Sequence, residues 1–153
     1  MIKSQKSFFE NLSAGFDGVF DWDFLLPAFE GTKIEPMDID AAVERHGKVL
    51  LIETKSPGKA IPLGQEITLK TLLGIGKGSI CVMVIYGKAA QSIVAFEEWH
   101  WHNGVIEVKK TQCESSYVLK RVTEWFRWAN ASPNYLMPNS IEPSMIESMA
   151  DDR

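Results

Sequence analysis

The chain has 153 residues, of which 45% are hydrophobic and two are cysteines. This length can bury one sizeable core, so we expect a single domain over residues 1–133 and a flexible tail over residues 134–153. The net charge of −4 argues against a strongly basic nucleic-acid-binding protein, and no apolar run reaches the roughly 18 residues of a membrane span. Two unrelated cysteines predict neither a disulfide framework nor a zinc cluster. We therefore expect a cytoplasmic protein without a membrane partner.

The N-terminal third gives weak structural signals. Residues 4–12 predict a short helix that contains Glu10. Residues 16–29 are rich in aromatic side chains and predict a helix or loop over a sheet edge. Residues 31–35 are the stretch available for a first strand.

A β-hairpin is predicted over residues 37–55. Two strand-like runs, residues 37–45 and 48–55, flank His46-Gly47, which suits a two-residue turn with positive φ. Directly paired residues then have numbers that sum to 93, so Asp40 lies opposite Glu53 and Asp38 opposite Lys55. These four side chains share one face with Ala42, Glu44, Val49 and Leu51, whereas the other face is predicted core: Ile39, Ala41, Val43, Leu50 and Ile52. A one-residue slip in the turn would move Asp40 to the opposite face.

The charged face of this hairpin has the composition of a metal site. Removing an unpaired carboxylate from water costs roughly several kcal/mol, so buried acids need a partner. Carboxylates on neighbouring strands suit a hard divalent cation such as Mg²⁺ or Mn²⁺. Lys55, on the same face, could orient a water and neutralise charge that develops on a phosphoryl group. The pattern indicates metal-assisted phosphodiester hydrolysis.

The order Pro36-Met37-Asp38-Ile39-Asp40, a spacer and Glu53-Thr54-Lys55 resembles the PD-(D/E)xK nuclease superfamily. The resemblance covers residues 34–87. It implies that an Asp and the Glu bind Mg²⁺, that the residue between Glu and Lys adds its backbone carbonyl, and that the Lys is catalytic. By position these roles fall on Asp40, Glu53, Thr54 and Lys55. In some relatives an acid of an N-terminal helix also reaches the metal, so Glu10 is either a further metal ligand or a solvated acid. Asp38 is the literal motif match, but the cross-strand geometry favours Asp40 and leaves Asp38 as an outer ligand.

The next segment predicts a helix and a buried strand. Residues 62–75 have helical spacing of apolar side chains, and residues 79–86 form a continuous apolar run typical of a strand that is covered on both faces. A strand, a helix and a second strand in this order favour a parallel pair. Gln65 would point toward the sheet, where it either orients the metal site, as in relatives with a glutamine at a similar place, or bonds locally near the helix end.

The C-terminal part predicts a second hairpin and a helix. Residues 91–102 and 105–111 flank Asn103-Gly104, and their pairing sums to 207. This register pairs Glu98 with Lys109, Glu97 with Lys110 and His100 with Glu107. It also places Trp99, Trp101, Ile106 and Val108 on one face, as core or as a subunit contact. His100 and His102 with their flanking acids are expected to be exposed strand residues rather than a zinc site.

Residues 116–130 form a predicted amphipathic helix. Val118, Val122, Trp125, Phe126 and Ala129 face inward, and Lys120, Arg121, Glu124 and Arg127 face outward. Trp128 and its neighbouring arginines could hold nucleic acid, although a packed helix is the simpler interpretation.

The expected fold class is α/β: a restriction-endonuclease-like core with a mixed central sheet flanked by helices, plus a C-terminal hairpin and helix. The expected function is Mg²⁺-dependent hydrolysis of DNA, in phage DNA processing, repair or recombination, with Asp40, Glu53, Lys55 and Gln65 as the catalytic set. One alternative is a non-catalytic nucleic-acid-binding or assembly subunit of this fold. Another is an unrelated α/β protein in which the acids form a structural salt bridge with Lys55. A homo-oligomer follows if the tryptophan face is a subunit contact.

Overall fold

The structure is a computed structural model that describes residues 23–131. The described residues belong to two compact units, divided between Met37 and Asp38. In the first unit, the described residues form a 3₁₀ helix, Asp23–Phe29, and then an irregular segment. Residues 31–35, the only stretch available for a first strand, form no strand. Glu30 and Gly31 both have positive φ, which turns the chain where a strand would begin. Glu10, its predicted helix and the predicted tail lie outside the described residues.

The second unit contains a five-stranded mixed sheet and two α-helices. In chain order they are β1 (Ala41–Arg45), β2 (Lys48–Lys55), α1 (Leu63–Gly76), β3 (Ile80–Tyr86), β4 (Ala95–His102), β5 (Val105–Gln112) and α2 (Ser115–Ala131). The strands follow chain order across the sheet, with β2 and β3 parallel and every other neighbouring pair antiparallel. The predicted α/β class with a mixed sheet is confirmed.

Both predicted hairpin registers are confirmed. Val43 is the ladder partner of Leu50 in the first hairpin, and Trp99 is the partner of Val108 in the second. The two turn residues have positive φ in each case, 51° and 76° at His46-Gly47 and 48° and 86° at Asn103-Gly104. Such turns match the right-handed twist of the strands they join, and this match fixes the pairing.

Strand β1 is shorter than predicted. Its ladder ends at the pair of Ala41 and Ile52, so Asp38 and Asp40 precede the strand. Neither predicted ladder pair, Asp40 with Glu53 or Asp38 with Lys55, forms. Ile39 and Val43, which were predicted to be core, are exposed. The reason is that β1 is an edge strand, whereas β2 lies between two neighbours.

Separate hydrophobic clusters lie on the two faces of the sheet, which we call the α1 face and the α2 face. On the α1 face, Leu69 and Leu73 of the helix pack with Leu51, Val82 and Trp99. On the α2 face, the cluster contains Val118, Trp125 and Ala129 of the helix together with Leu50, Cys81, Met83 and Phe96. The prediction of one core face for the first hairpin is therefore wrong for β2, because helices cover this strand on both sides. Trp99 is confirmed as core.

Helix α2 differs from its predicted orientation at two residues. Phe126, predicted to face inward, is 47% exposed, and the Arg45 guanidinium lies 5.9 Å from its ring centre. Arg121, predicted to face outward, instead donates from Nε to both carboxylate oxygens of Glu98 at 3.0 Å. Glu98 is buried on β4 and needs a cation, a requirement that helical periodicity does not reveal.

Within residues 23–131, no helix combines the length and the apolar content needed to cross a membrane.

Candidate metal centre

Glu53 is a buried carboxylate near the end of β2. Its side chain points to the α1 face, as do those of Val49 and Leu51 in the same strand. The residue is only 1% exposed. A charge this deeply buried needs compensation from its surroundings.

Gln65 provides the first compensating contact. Its Nε2 donates to Glu53 Oε2 over 2.7 Å. Helix α1 begins at Leu63, directly after Pro62, whose extended backbone ends the preceding loop. Gln65 therefore lies in the first helical turn, and the prediction that it points toward the sheet is confirmed.

Lys55 provides the second contact, at the same carboxylate oxygen. Its Nζ lies 3.6 Å from Glu53 Oε2, and the side chain is 20% exposed. The predicted position of Lys55 on the face of Glu53 is confirmed. Because Gln65 and Lys55 both meet Oε2, they leave the other oxygen of the carboxylate without support.

Two buried oxygens at this site have no hydrogen-bond donor. They are Glu53 Oε1 and Gln65 Oε1. A buried acceptor without a partner costs about 1–3 kcal/mol. Both atoms are oxygens, which are the ligands preferred by hard cations such as Mg²⁺. The pair fits a divalent cation better than it fits a self-contained salt bridge.

Asp40 lies beside this pair, directly before β1. Its Oδ2 accepts hydrogen bonds from the Thr54 backbone N–H at 2.7 Å and from Thr54 Oγ1 at 2.6 Å. Asp40 thus accepts the Thr54 backbone N–H with its side chain, in the place where a β1 residue of the ladder would accept it with a backbone carbonyl. The carbonyl of Thr54 points to the same side of β2 as its N–H, since the two groups of one strand residue are aligned. Asp40 and the Thr54 carbonyl therefore meet at one strand edge.

The surroundings of Glu53 do not fully compensate the cost of burying its negative charge. Burial raises the pKa of this carboxyl above its ordinary value of 4.5, and the negative charge of Asp40 raises it further. The ammonium of Lys55, the hydrogen bond from Gln65 and the backbone of Asp40 oppose this rise without cancelling it. A cation near Glu53 would favour the charged form of this carboxyl.

The structure does not bring every predicted ligand together. Asp38 is exposed, and no hydrogen bond or ion pair joins it to Glu53 or Thr54. Across residues 23–131, no three His, Cys, Asp or Glu side chains come together as a ligand cluster. The ligands available are therefore two carboxylates, one amide oxygen and one backbone carbonyl. This set suits Mg²⁺, which is usually held by one or two carboxylates and keeps several waters.

The acidic and histidine side chains of the second hairpin form an ion-paired cluster with helix α2. Glu98 is buried and binds Arg121, and His100 Nε2 lies 3.8 Å from Glu98 Oε1. Burial raises the pKa of Glu98, but hydrogen bonds from His100 and Arg121 and their charges outweigh this effect and lower it. His100 and His102 are exposed residues of β4, as predicted.

The sequence did not reveal a second polar cluster on the α1 face. Glu97 accepts hydrogen bonds from Tyr86 Oη and Trp99 Nε1, both at 3.0 Å, and pairs with Lys110 at 3.1 Å. The predicted register contained the signal, because it opposed Glu97 to Lys110. The register of the second hairpin does not give the pairing of β3 with β4, and this pairing places Glu97 in the same row across the sheet as Glu53.

Comparisons of the chain with protein-family models, with curated proteins and with solved structures found no match. The resemblance to PD-(D/E)xK nucleases therefore stays a prediction that depends on the residues described above.

Proposed function

We propose that this chain is a Mg²⁺-dependent nuclease with a restriction-endonuclease-like core, which hydrolyses DNA phosphodiester bonds in the cytoplasm. The observation that carries this proposal is the state of Glu53. One carboxylate oxygen is held by Gln65 and Lys55, whereas the other is buried without a donor. The Gln65 carbonyl oxygen is in the same state, and Asp40 lies beside them.

The candidate ligands are Glu53, Asp40, the Thr54 carbonyl and the Gln65 amide oxygen. A bound Mg²⁺ supplies Lewis acidity toward the phosphoryl oxygens and makes a water more acidic. Gln65 fixes the orientation of Glu53 through its Nε2, and Thr54 fixes that of Asp40 through two hydrogen bonds. Rigid ligands reduce the reorganisation needed when charge develops.

Lys55 contributes a positive charge at the reacting phosphate. Its ammonium can donate to the attacking water and offset the negative charge that grows on the phosphoryl oxygens as the ester bond breaks. The leaving oxygen takes a proton from solvent, which balances the proton lost by the attacking water. Because Lys55 also contacts Glu53 Oε2, it links the phosphate to the ligand set.

The structural salt bridge is the main competing explanation. It accounts for the contact of Lys55 with Glu53, but it leaves two buried oxygens without donors at about 1–3 kcal/mol each. It also leaves the negative charge of Asp40 close enough to Glu53 to raise the pKa of the buried carboxyl. A divalent cation accounts for both features.

The test is cleavage of linear, nicked, branched and single-stranded DNA with Mg²⁺, Mn²⁺ or EDTA. We expect metal-dependent cleavage that falls about 100-fold or more in Lys55→Met, the size of effect seen when one charge-stabilising donor is lost. Asp40→Asn and Glu53→Gln should also lose activity. Asp38→Asn is the matched control, since it removes the same charge two residues away, and it should retain activity.

Two results would contradict the proposal. The first is an absence of cleavage on all four substrates with either metal, which would leave the non-catalytic subunit as the better explanation. The second is equal activity in Asp40→Asn and Asp38→Asn, which would remove Asp40 from the site.

A further inference from the structure

A groove of about 470 Å³ lies on the α1 face, between helix α1 and strands β4 and β5. Its walls include Lys59 in the loop after β2, Lys70 of α1 and Lys110 of β5, and Tyr86 and Trp99 also line it. This volume is that of a ligand cleft, and none of these residues was assigned to the metal site.

The strand registers place this groove next to Glu53. Glu53 is the ladder partner of Val84, Val84 of Glu97, and Glu97 of Lys110. Directly paired residues point to the same face, so these four side chains form one row across the sheet on the α1 face. The metal site occupies one end of the row, and Lys110 of the groove occupies the other.

The groove concentrates positive charge in a chain whose net charge is −4. It contains the ammonium groups of Lys59, Lys70 and Lys110 against the carboxylates of Glu66 and Glu97. Lys70 pairs with Glu66 at 2.5 Å and remains 45% exposed, and Lys110 remains 51% exposed. In the described part of the chain, no acid pairs with Lys59. Each ammonium therefore keeps N–H groups for a further anion.

Lys110 is held in position by its surroundings. It lies 3.1 Å from Glu97 Oε1 and 4.1 Å from the centre of the Tyr86 ring. Burial raises the pKa of Glu97, but hydrogen bonds from Trp99, Lys110 and Tyr86 outweigh it and lower the pKa. Glu97 thus remains a fixed anionic anchor, and Lys110 pays less side-chain entropy when it binds an anion.

We propose that this groove binds the backbone phosphates of a single nucleic-acid strand beside the hydrolysed bond. The inference rests on the proposed nuclease function, and it names the part of the substrate that the groove holds. Tyr86 and Trp99 are 5% and 4% exposed, so they form the groove floor and offer no open ring for base stacking. Recognition therefore comes from backbone charge and is independent of base sequence.

The experiment compares two double variants with the same loss of charge. Lys70→Gln with Lys110→Gln removes two groove cations. Lys109→Gln with Lys120→Gln is the control, because it changes the neighbouring position of β5 and a lysine in an equivalent i,i+4 ion pair of α2. Lys109 pairs with Glu98 in the ladder and so points to the α2 face. Binding of a fluorescent oligothymidine strand is measured by anisotropy in EDTA, and cleavage is measured separately in Mg²⁺.

The groove variant should bind the strand at least tenfold more weakly at low salt, while the control stays within twofold of the unmodified protein. Three phosphate contacts predict a slope of log affinity against log salt of about −2, and loss of two lysines should reduce it by about 1.4. In the cleavage assay, KM should rise while kcat is preserved. A fully double-stranded oligonucleotide should compete less well than the single strand.

Failure of this inference can be told apart from failure of the proposed function. Equal losses in both double variants, or preferential binding of duplex, would overturn the groove assignment even if the protein cleaves DNA. If the protein cleaves nothing, the nuclease proposal fails, and the anisotropy comparison still decides the groove. An absence of strand binding at low salt would overturn it.

Discussion

The substitution Glu53→Gln should make the protein more stable in the absence of divalent cations. The new side chain has the same shape, and its NH₂ replaces the oxygen that has no donor. This NH₂ can donate to Gln65 Oε1, which is also without a donor, while the new carbonyl still accepts from Gln65 Nε2. Two unpaired buried atoms would thus become one amide–amide hydrogen bond. Removing these unsatisfied groups should raise the free energy of unfolding by about 1–3 kcal/mol. The lost contact with Lys55 offsets part of this increase.

The stability gained by Glu53→Gln should depend on pH. The pKa of Glu53 is raised above 4.5 by burial and by Asp40, so the folded state binds the proton of Glu53 more tightly than the unfolded state does. Its contribution to stability is complete below the unfolded pKa and is lost as pH rises through the folded pKa. The unmodified protein should therefore lose up to about 1.4 kcal/mol of unfolding free energy per pH unit in that interval. Glu53→Gln should not show this loss, so the difference between the two proteins grows from pH 4.5 upward.

The assay is thermal unfolding in EDTA and in Mg²⁺ across this pH range. For a chain of this length, 1 kcal/mol corresponds to about 3 °C, so the variant should unfold at a temperature higher by at most about 9 °C in EDTA above pH 7. Mg²⁺ at 100 times its Kd should stabilise the unmodified protein by about 2.7 kcal/mol and the variant hardly at all.

Glu98→Gln is the control, since Glu98 is equally buried but is fully paired with Arg121. It should destabilise the protein by about 1–3 kcal/mol. If Glu53→Gln also lowers the unfolding temperature in EDTA, the contact between Glu53 and Lys55 is a structural salt bridge and the reasoning is refuted.

Three further predictions test the core, the thiols and the support of Asp40. Leu73→Ala, at a fully buried position of α1, should lower the unfolding free energy by about 2–5 kcal/mol in chemical denaturation, and a loss below 1 kcal/mol would show that the helix packs loosely. Burial raises the pKa of the Cys81 thiol to about 12, so alkylation of the native protein at pH 8 should modify the half-buried Cys113 first, as peptide mass spectrometry would show. Thr54→Val removes one of the two hydrogen bonds to Asp40 Oδ2 and should weaken Mg²⁺ binding roughly three- to tenfold in calorimetry, whereas Thr54→Ser should restore it.

The sequence predicted local features of this fold well. The turn residues His46-Gly47 and Asn103-Gly104 determine two registers, because positive φ at both positions allows only one kind of hairpin connection. The helical position of Gln65 and the continuous apolar run of β3 were equally local signals. These features were enough to place Glu53, Lys55 and Gln65 on one face.

Features that depend on contacts between distant parts of the chain could not be predicted from the sequence. Arg121 was assigned to solvent by helical periodicity, but it binds Glu98 on a strand 23 positions earlier. The early end of β1 was also hidden, since Ile39 and Asp40 continue the alternating pattern while the backbone has already left the ladder. Side chains that replace backbone partners leave no periodic pattern in the sequence, because tertiary hydrogen bonds decide their position.

The contacts of the proposed metal site join residues only 12 and 14 positions apart, from Gln65 to Glu53 and from Thr54 to Asp40. The entropic cost of closing a chain loop grows with the logarithm of its length, so forming these two contacts costs little chain entropy. The opposite end of the row, at Lys110, requires that β4 and β5 have already joined the sheet. Asp40 and Thr54 can therefore meet within the first hairpin alone, whereas Gln65 is carried by a helix that packs on Val82 of β3 and Trp99 of β4.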